Sequence, residues 1–156
     1  MKNFSKDIPP SSLNLLQKLL VAKEIYQKLI TSVSDNLIRT ELRRITIEKE
    51  IFIRDFNAIN GFRISDFKDQ HKEDIRIESE NLQLKFDHLI TDHDDAKILS
   101  GIIEREKEHE DLYHLILERP IDDEFRHMIL KNQLDETKQS IQELKDIMNT
   151  LVSEKS

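Results

Sequence analysis

Glu106 and His109 lie three residues apart in the stretch Ile102-Ile-Glu-Arg-Glu-Lys-Glu-His-Glu-Asp-Leu-Tyr113. On a helix turning about 100° per residue, Leu99, Ile102, Glu106, His109, Tyr113 and Ile116 share one face. That face is apolar at both ends and polar in its middle. A carboxylate and an imidazole pointing the same way at mid-helix are costly to bury unless they are paired, hydrogen-bonded or bound to a metal. Glu48, set between Ile45 and Phe52, is a second carboxylate of this kind. Two carboxylates and one imidazole can hold a single metal ion, with iron or manganese as the candidates. The same groups can instead form a buried ion-paired layer that needs no cofactor, with Lys23 supplying the countercharge. The second reading is the one the sequence favours.

The elements that must position these residues are helices. Of 156 residues, 35% are charged and 37% hydrophobic, with only two Gly and three Pro. That mixture favours an all-α chain with few tight turns. Residues 1–10 read as a flexible N-terminal arm ending at Pro9-Pro10, and residues 11–152 as a single four-helix-bundle domain. The first helix, capped by Ser11 or Ser12, runs to about Val33 with Leu16, Leu19, Leu20, Tyr26, Leu29, Ile30 and Val33 inward. Lys23 falls inside that stripe and Glu24 outside it. After a break at 32–36, capped by Ser34 or Asp35, the second helix runs to Gly61, a left-handed stop. Its inward face is Ile38, Glu41, Ile45, Glu48, Phe52, Asp55 and Ile59. Ile47, Ile51 and Ile53 widen the apolar sector, so a cover on a second side is expected, or a homodimer formed through it. Residues 62–90 read as an irregular crossover with a short helix over 79–90. That length lets the second and third long helices run parallel. Thr91 is read as the cap of the third long helix, which ends near Glu118. Asp122 or Asp123 caps the fourth, with Ile129, Leu130, Gln133, Thr137, Ile141, Leu144, Met148 and Leu151 inward. The predicted core is Leu16, Leu20, Ile30, Ile45, Phe52, Ile102, Tyr113, Leu130, Leu144 and Met148.

The composition also excludes chemistry. A net charge of −7, with no stretch of Arg or Lys unbroken by acids, argues against nucleic acid as a partner. The absence of cysteine removes disulfides, thiolate ligands and a Cys nucleophile. No apolar run approaches the roughly 20 residues of a membrane span, and the N-terminus lacks the apolar segment of a signal peptide. The expected setting is the cytoplasm, with no membrane. There is no Gly-rich phosphate loop and no G-x-S-x-G elbow, so the sequence leans away from an enzyme, without deciding it, and singles out no catalytic residue. Glu124-x-x-His127 falls in a first helical turn and reads as surface. His88 and His93, among aspartates, read as a solvated helix start. Tyr26 and Tyr113 read as core aromatics with tethered hydroxyls.

Counted from the connecting turns, Lys23, Glu48, Glu106 and Gln133 all sit near mid-helix and should form one layer, with His109 a turn away. Four long helices, a long crossover and mid-helix carboxylates resemble the ferritin-like superfamily. The runs Arg44-Ile-Thr-Ile-Glu-Lys-Glu-Ile-Phe52, Ile103-Glu-Arg-Glu-Lys-Glu-His-Glu-Asp-Leu-Tyr113 and Asn132-Gln-Leu-Asp-Glu-Thr-Lys-Gln-Ser-Ile-Gln-Glu-Leu144 resemble a small bacterial family of ferritin-like four-helix-bundle proteins, a domain of unknown function. The resemblance implies the ferritin-like four-helix bundle, with a long crossover containing a short helix between helices two and three, and no established reaction. Of the superfamily's di-iron pattern the chain matches Glu48 and Glu106-x-x-His109. It departs at Lys23, at Ile51 and at Gln133 with Thr137. A protonated lysine cannot ligate, and glutamine is a poor iron ligand.

Overall fold

A computed structural model of the protein describes residues 9–61, 63–120 and 123–155. It is all-α. Six helices follow in order, α1 (Pro10–Ile30), α2 (Asn36–Asn60), α3 (Ile64–Gln70), α4 (Lys72–Thr91), α5 (Asp95–Leu117) and α6 (Glu124–Lys155), and no strand occurs among the described residues. The flexible-arm expectation for residues 1–8 falls outside the described residues, as does the capping role considered for Asp122.

The helix boundaries follow from local chemistry. α1 starts without a side-chain cap: Pro9 is the N-cap residue and Pro10 the first helical position, where its missing N–H costs nothing. Ser11 and Ser12 are therefore inside the helix rather than capping it. Asp35 caps α2 by accepting from the N–H of Ile38 at 3.0 Å, and Gly61 ends it at φ 67°. A side chain at that φ would be strained, which is why glycine stands there. Asp123 Oδ1 caps α6 through the N–H groups of Phe125 and Arg126. The cap of α5 is Asp94, not Thr91. Thr91 instead closes α4, its hydroxyl donating to Asp87 O at 2.9 Å. His93, at φ 52°, makes the turn between the two helices.

The connection between α2 and α5 is more regular than its alternating sequence suggests. Where an irregular crossover with a helix over 79–90 is expected, α3 is followed by one continuous helix over Lys72–Thr91. Helical pairs explain it: Arg76 bridges Glu73 and Glu80 one turn either side, and Gln83 reaches Asp87. α4 does not cover α2. It lies in the groove between α1 and α5. Its fully buried Phe86 meets α5 at Gly101, where a Cβ would stand 2.9 Å from the Phe86 ring. Glycine in mid-helix is what admits the ring.

α1 pairs with α2, and α5 with α6, as antiparallel neighbours across short connections; α1 also meets α5, and α2 meets α6. Contacts fix the directions. Ser34 near the end of α1 reaches Asp95 at the start of α5, and Ile59 at the end of α2 accepts from Arg126 at the start of α6. Hence α2 and α5 run the same way. The interior holds two apolar clusters, one around Leu16, Phe52, Phe56, Tyr113 and Leu130, the other around Ile25, Ile45, Leu99, Ile102 and Leu144. Of the predicted core, Ile30 and Met148 are only partly buried; the other eight residues are buried. Ile47 and Ile51 are 56% and 40% exposed, so nothing among the described residues covers the second side of α2, while Ile53 is buried.

Candidate functional site

Between the two apolar clusters lies a layer of buried polar side chains drawn from four helices. Glu106 and His109 project from α5 and are both fully buried. Glu48 projects from α2, with its side chain 8% exposed. Gln133 and Thr137 project from α6 and are buried as well. Glu48, Glu106, His109 and Gln133 thus lie in one region.

Lys23 is not part of it. Its side chain is 35% exposed and lies 4.0 Å from Glu50 at the surface. The inward position of that turn belongs to Ala22, three residues after Leu19 and four before Tyr26, which leaves Lys23 one step around the helix. The buried cation is Lys49, which is 0% exposed. Its Nζ lies 2.5 Å from Glu106 Oε1 and 3.2 Å from Glu48 Oε1, and 5.0 Å from the Phe52 ring centroid. The contact with Glu106 is one of opposite charges, without the alignment of a hydrogen bond. Sequence reasoning passed over Lys49 because it adjoins Glu48. Its place four residues after Ile45 and three before Phe52 was the available signal.

The remaining contacts complete the layer. Tyr26 of α1 donates its hydroxyl to Glu106 Oε2 at 2.8 Å. His109 Nδ1 is 3.2 Å from the same oxygen. Neither ring nitrogen of His109 makes an aligned hydrogen bond with a described residue. Tyr113 donates to Gln133 Oε1 at 2.6 Å, and the Gln133 amide donates to Phe52 O at 3.3 Å. Glu48 reaches outward too: it accepts from Ser140 at 2.9 Å and from Arg44 at 3.3 Å. Arg44 continues to Glu41 and Glu143, so the layer ends at the surface between α2 and α6. On the opposite side, buried Arg105 binds Lys18 O at 3.0 Å and Glu78 of α4 at 2.5 Å.

Electrostatics follow from this packing. Burial pushes the Glu106 carboxyl upward, but the Lys49 ammonium and His109 outweigh it and hold it far below the usual carboxylate range. Burial lowers His109, and Glu106 beside it only partly offsets that. Burial, with Glu106 beside them, raises Tyr26 and Tyr113. At the edge, burial raises Glu41, and burial with Glu48 and Asp55 nearby raises Glu136.

As arranged, the Lys49 ammonium lies between the layer's two carboxylates. Among the described residues no group of three or more His, Asp or Glu is placed to hold a metal. Glu124 and His127 are exposed, as are His88 and His93. His71 stacks on Phe67, with ring centroids 4.4 Å apart. No described helix is long and apolar enough to cross a membrane. No protein-family model, characterised protein or solved structure matches the chain.

Proposed function

We propose that the chain is a ferritin-like four-helix bundle with a structural or interaction role and no chemistry of its own. In this reading residues 11–152 form one domain in the cytoplasm, and the polar layer serves to fix how the helices pair. One observation carries it: Lys49 lies fully buried between Glu106 and Glu48, so the charge that a ferritin-like protein devotes to metal is neutralised by the chain itself. Lys49 and Glu106 belong to diagonal helices, α2 and α5, and Tyr26 and Gln133 add α1 and α6. A one-turn slip of any helix, about 5.4 Å, would strand a buried charge or donor. Four long helices around one interior and the long α3–α4 connection support the ferritin-like reading. Ile47 and Ile51, exposed on α2, are the surface through which a homodimer would form.

His109 favours a second reading, a carboxylate and histidine site for iron or manganese, because its ring nitrogens lack aligned partners beside Glu106. That site would need Lys49 to leave. Metal analysis of protein purified without chelator separates the two. Substoichiometric metal, together with a lowered melting temperature in Lys49→Met, supports the structural role. Iron or manganese near one per chain, lost in Glu106→Ala, overturns it in favour of the metal site.

A further inference from the structure

At the end of the core where α1 and α6 begin and α2 and α5 finish, a cavity of about 280 Å³ opens to the surface. Its floor is made of core side chains, Phe56, Ile116 and Leu130, all buried. Its rim carries two guanidiniums, Arg119 and Arg126, with the amide of Asn60 beside them. Asp123 also lines it, but its Oδ1 already accepts from the N–H groups of Phe125 and Arg126 at 2.9 and 3.3 Å. Among the described residues, two cations against one committed carboxylate leave the rim positive. Arg126 is held in place because its Nη2 donates to Ile59 O at 3.0 Å. Its Nε is buried without a hydrogen-bond partner among the described residues. A buried donor in that condition is unfavourable, and an anionic oxygen would relieve it.

An apolar floor with a few convergent polar groups is the general form of a small-molecule site. Guanidiniums at the mouth select carboxylate over neutral oxygen. We propose that this cavity binds a small carboxylic acid with an apolar body, its carboxylate on Arg119 and Arg126 and its body against Phe56, Ile116 and Leu130. The site is independent of the polar layer: Leu130 lies about one turn from Gln133 along α6, and no residue is shared. It therefore stands or falls apart from the structural role proposed above.

Octanoate, with octan-1-ol as its neutral counterpart, tests it on the full chain by amide chemical shifts. Octanoate should shift the amides of Asn60, Ile116 and Leu130 saturably. Octan-1-ol should bind at least about tenfold more weakly, as expected for loss of one charge-assisted contact. Arg119→Glu, at an exposed side chain, should weaken octanoate by at least a similar factor with the melting temperature unchanged. Arg119→Gln should fall between. The proposal is overturned by an absence of saturable shifts at those amides, by equal affinity for the alcohol, or by unchanged octanoate affinity in both Arg119 variants.

Discussion

Replacing Lys49 with Met removes one charge and little volume. The Lys49 side chain is 0% exposed, so Met fills nearly the same space and the cavity contribution is small. What remains is Glu106, also 0% exposed, with its nearest cation gone. The Tyr26 hydroxyl at 2.8 Å and His109 at 3.2 Å then face it. Breaking a buried pair on one side costs about 3–5 kcal/mol. Glu48 adds less, because Arg44 still reaches it at 3.3 Å. For a domain of this size each 1 kcal/mol moves the melting temperature by about 2–4 °C, so a drop on the order of 10 °C is expected. Urea unfolding followed by helical circular dichroism measures it, with an unchanged slope showing that the native state is intact. Lys49→Met with Glu106→Gln should recover part of the loss, since no lone charge is left and the amide oxygen still accepts from Tyr26. Lys23→Met is the matched control: a half-exposed lysine 4.0 Å from its partner should cost at most about 1 kcal/mol. If Lys49→Met costs no more than Lys23→Met, or if the double variant is no more stable than the single, the charge-pair argument is refuted.

Gly101→Ala should cost about 1–3 kcal/mol by pressing the Phe86 ring out of its seat, and proteolysis within α4 should become faster. Tyr26→Phe removes a hydrogen bond to a buried carboxylate and should cost about 1.5–3 kcal/mol in the same urea assay. Stability should fall on acidification. His109 is depressed in the fold, so below about pH 6.5 the unfolded chain takes up a proton that the folded one refuses. Glu106 is depressed too, so its contribution is full above the ordinary carboxylate range and is lost below it. Glu41 and Glu136 are raised and act with the opposite sign, but Glu41 is only half-buried and Glu136 is exposed, so both are weaker. Urea midpoints from pH 8 to pH 4 check this, and a midpoint that rises between pH 7 and pH 5 would contradict it.

Helix content was legible because periodicity and caps are local. Asp35 and Gly61 bound α2 as their types suggest. The polar waist was legible too, since Glu48, Glu106, His109 and Gln133 interrupt apolar stripes at comparable distances from the turns. The identity of the cation was not. Lys23 and Lys49 both border stripes, and only the finer spacing separates them: Ala22 holds the inward position beside Lys23, whereas Lys49 itself falls between Ile45 and Phe52. Burial of Arg105 was invisible, since it depends on Glu78 arriving from α4. Residues 72–91 are helical where an irregular crossover is expected, because Arg76 pairs with Glu73 and Glu80 one turn either side, a local pattern that apolar periodicity does not register.

The split of the polar layer between the two helical pairs has a kinetic consequence. Lys49 belongs to the α1–α2 hairpin and Glu106 to the α5–α6 hairpin. Each hairpin is joined by a short connection and can form early, while the ion pair links positions far apart in the chain. Until the hairpins dock, each carries a solvated charge in the middle of its sticky face, which disfavours premature or misregistered collapse. Desolvation of the charges then falls at docking, and it is expected to be completed only after the rate-limiting barrier. Lys49→Met should accordingly speed unfolding and leave the refolding rate almost unchanged.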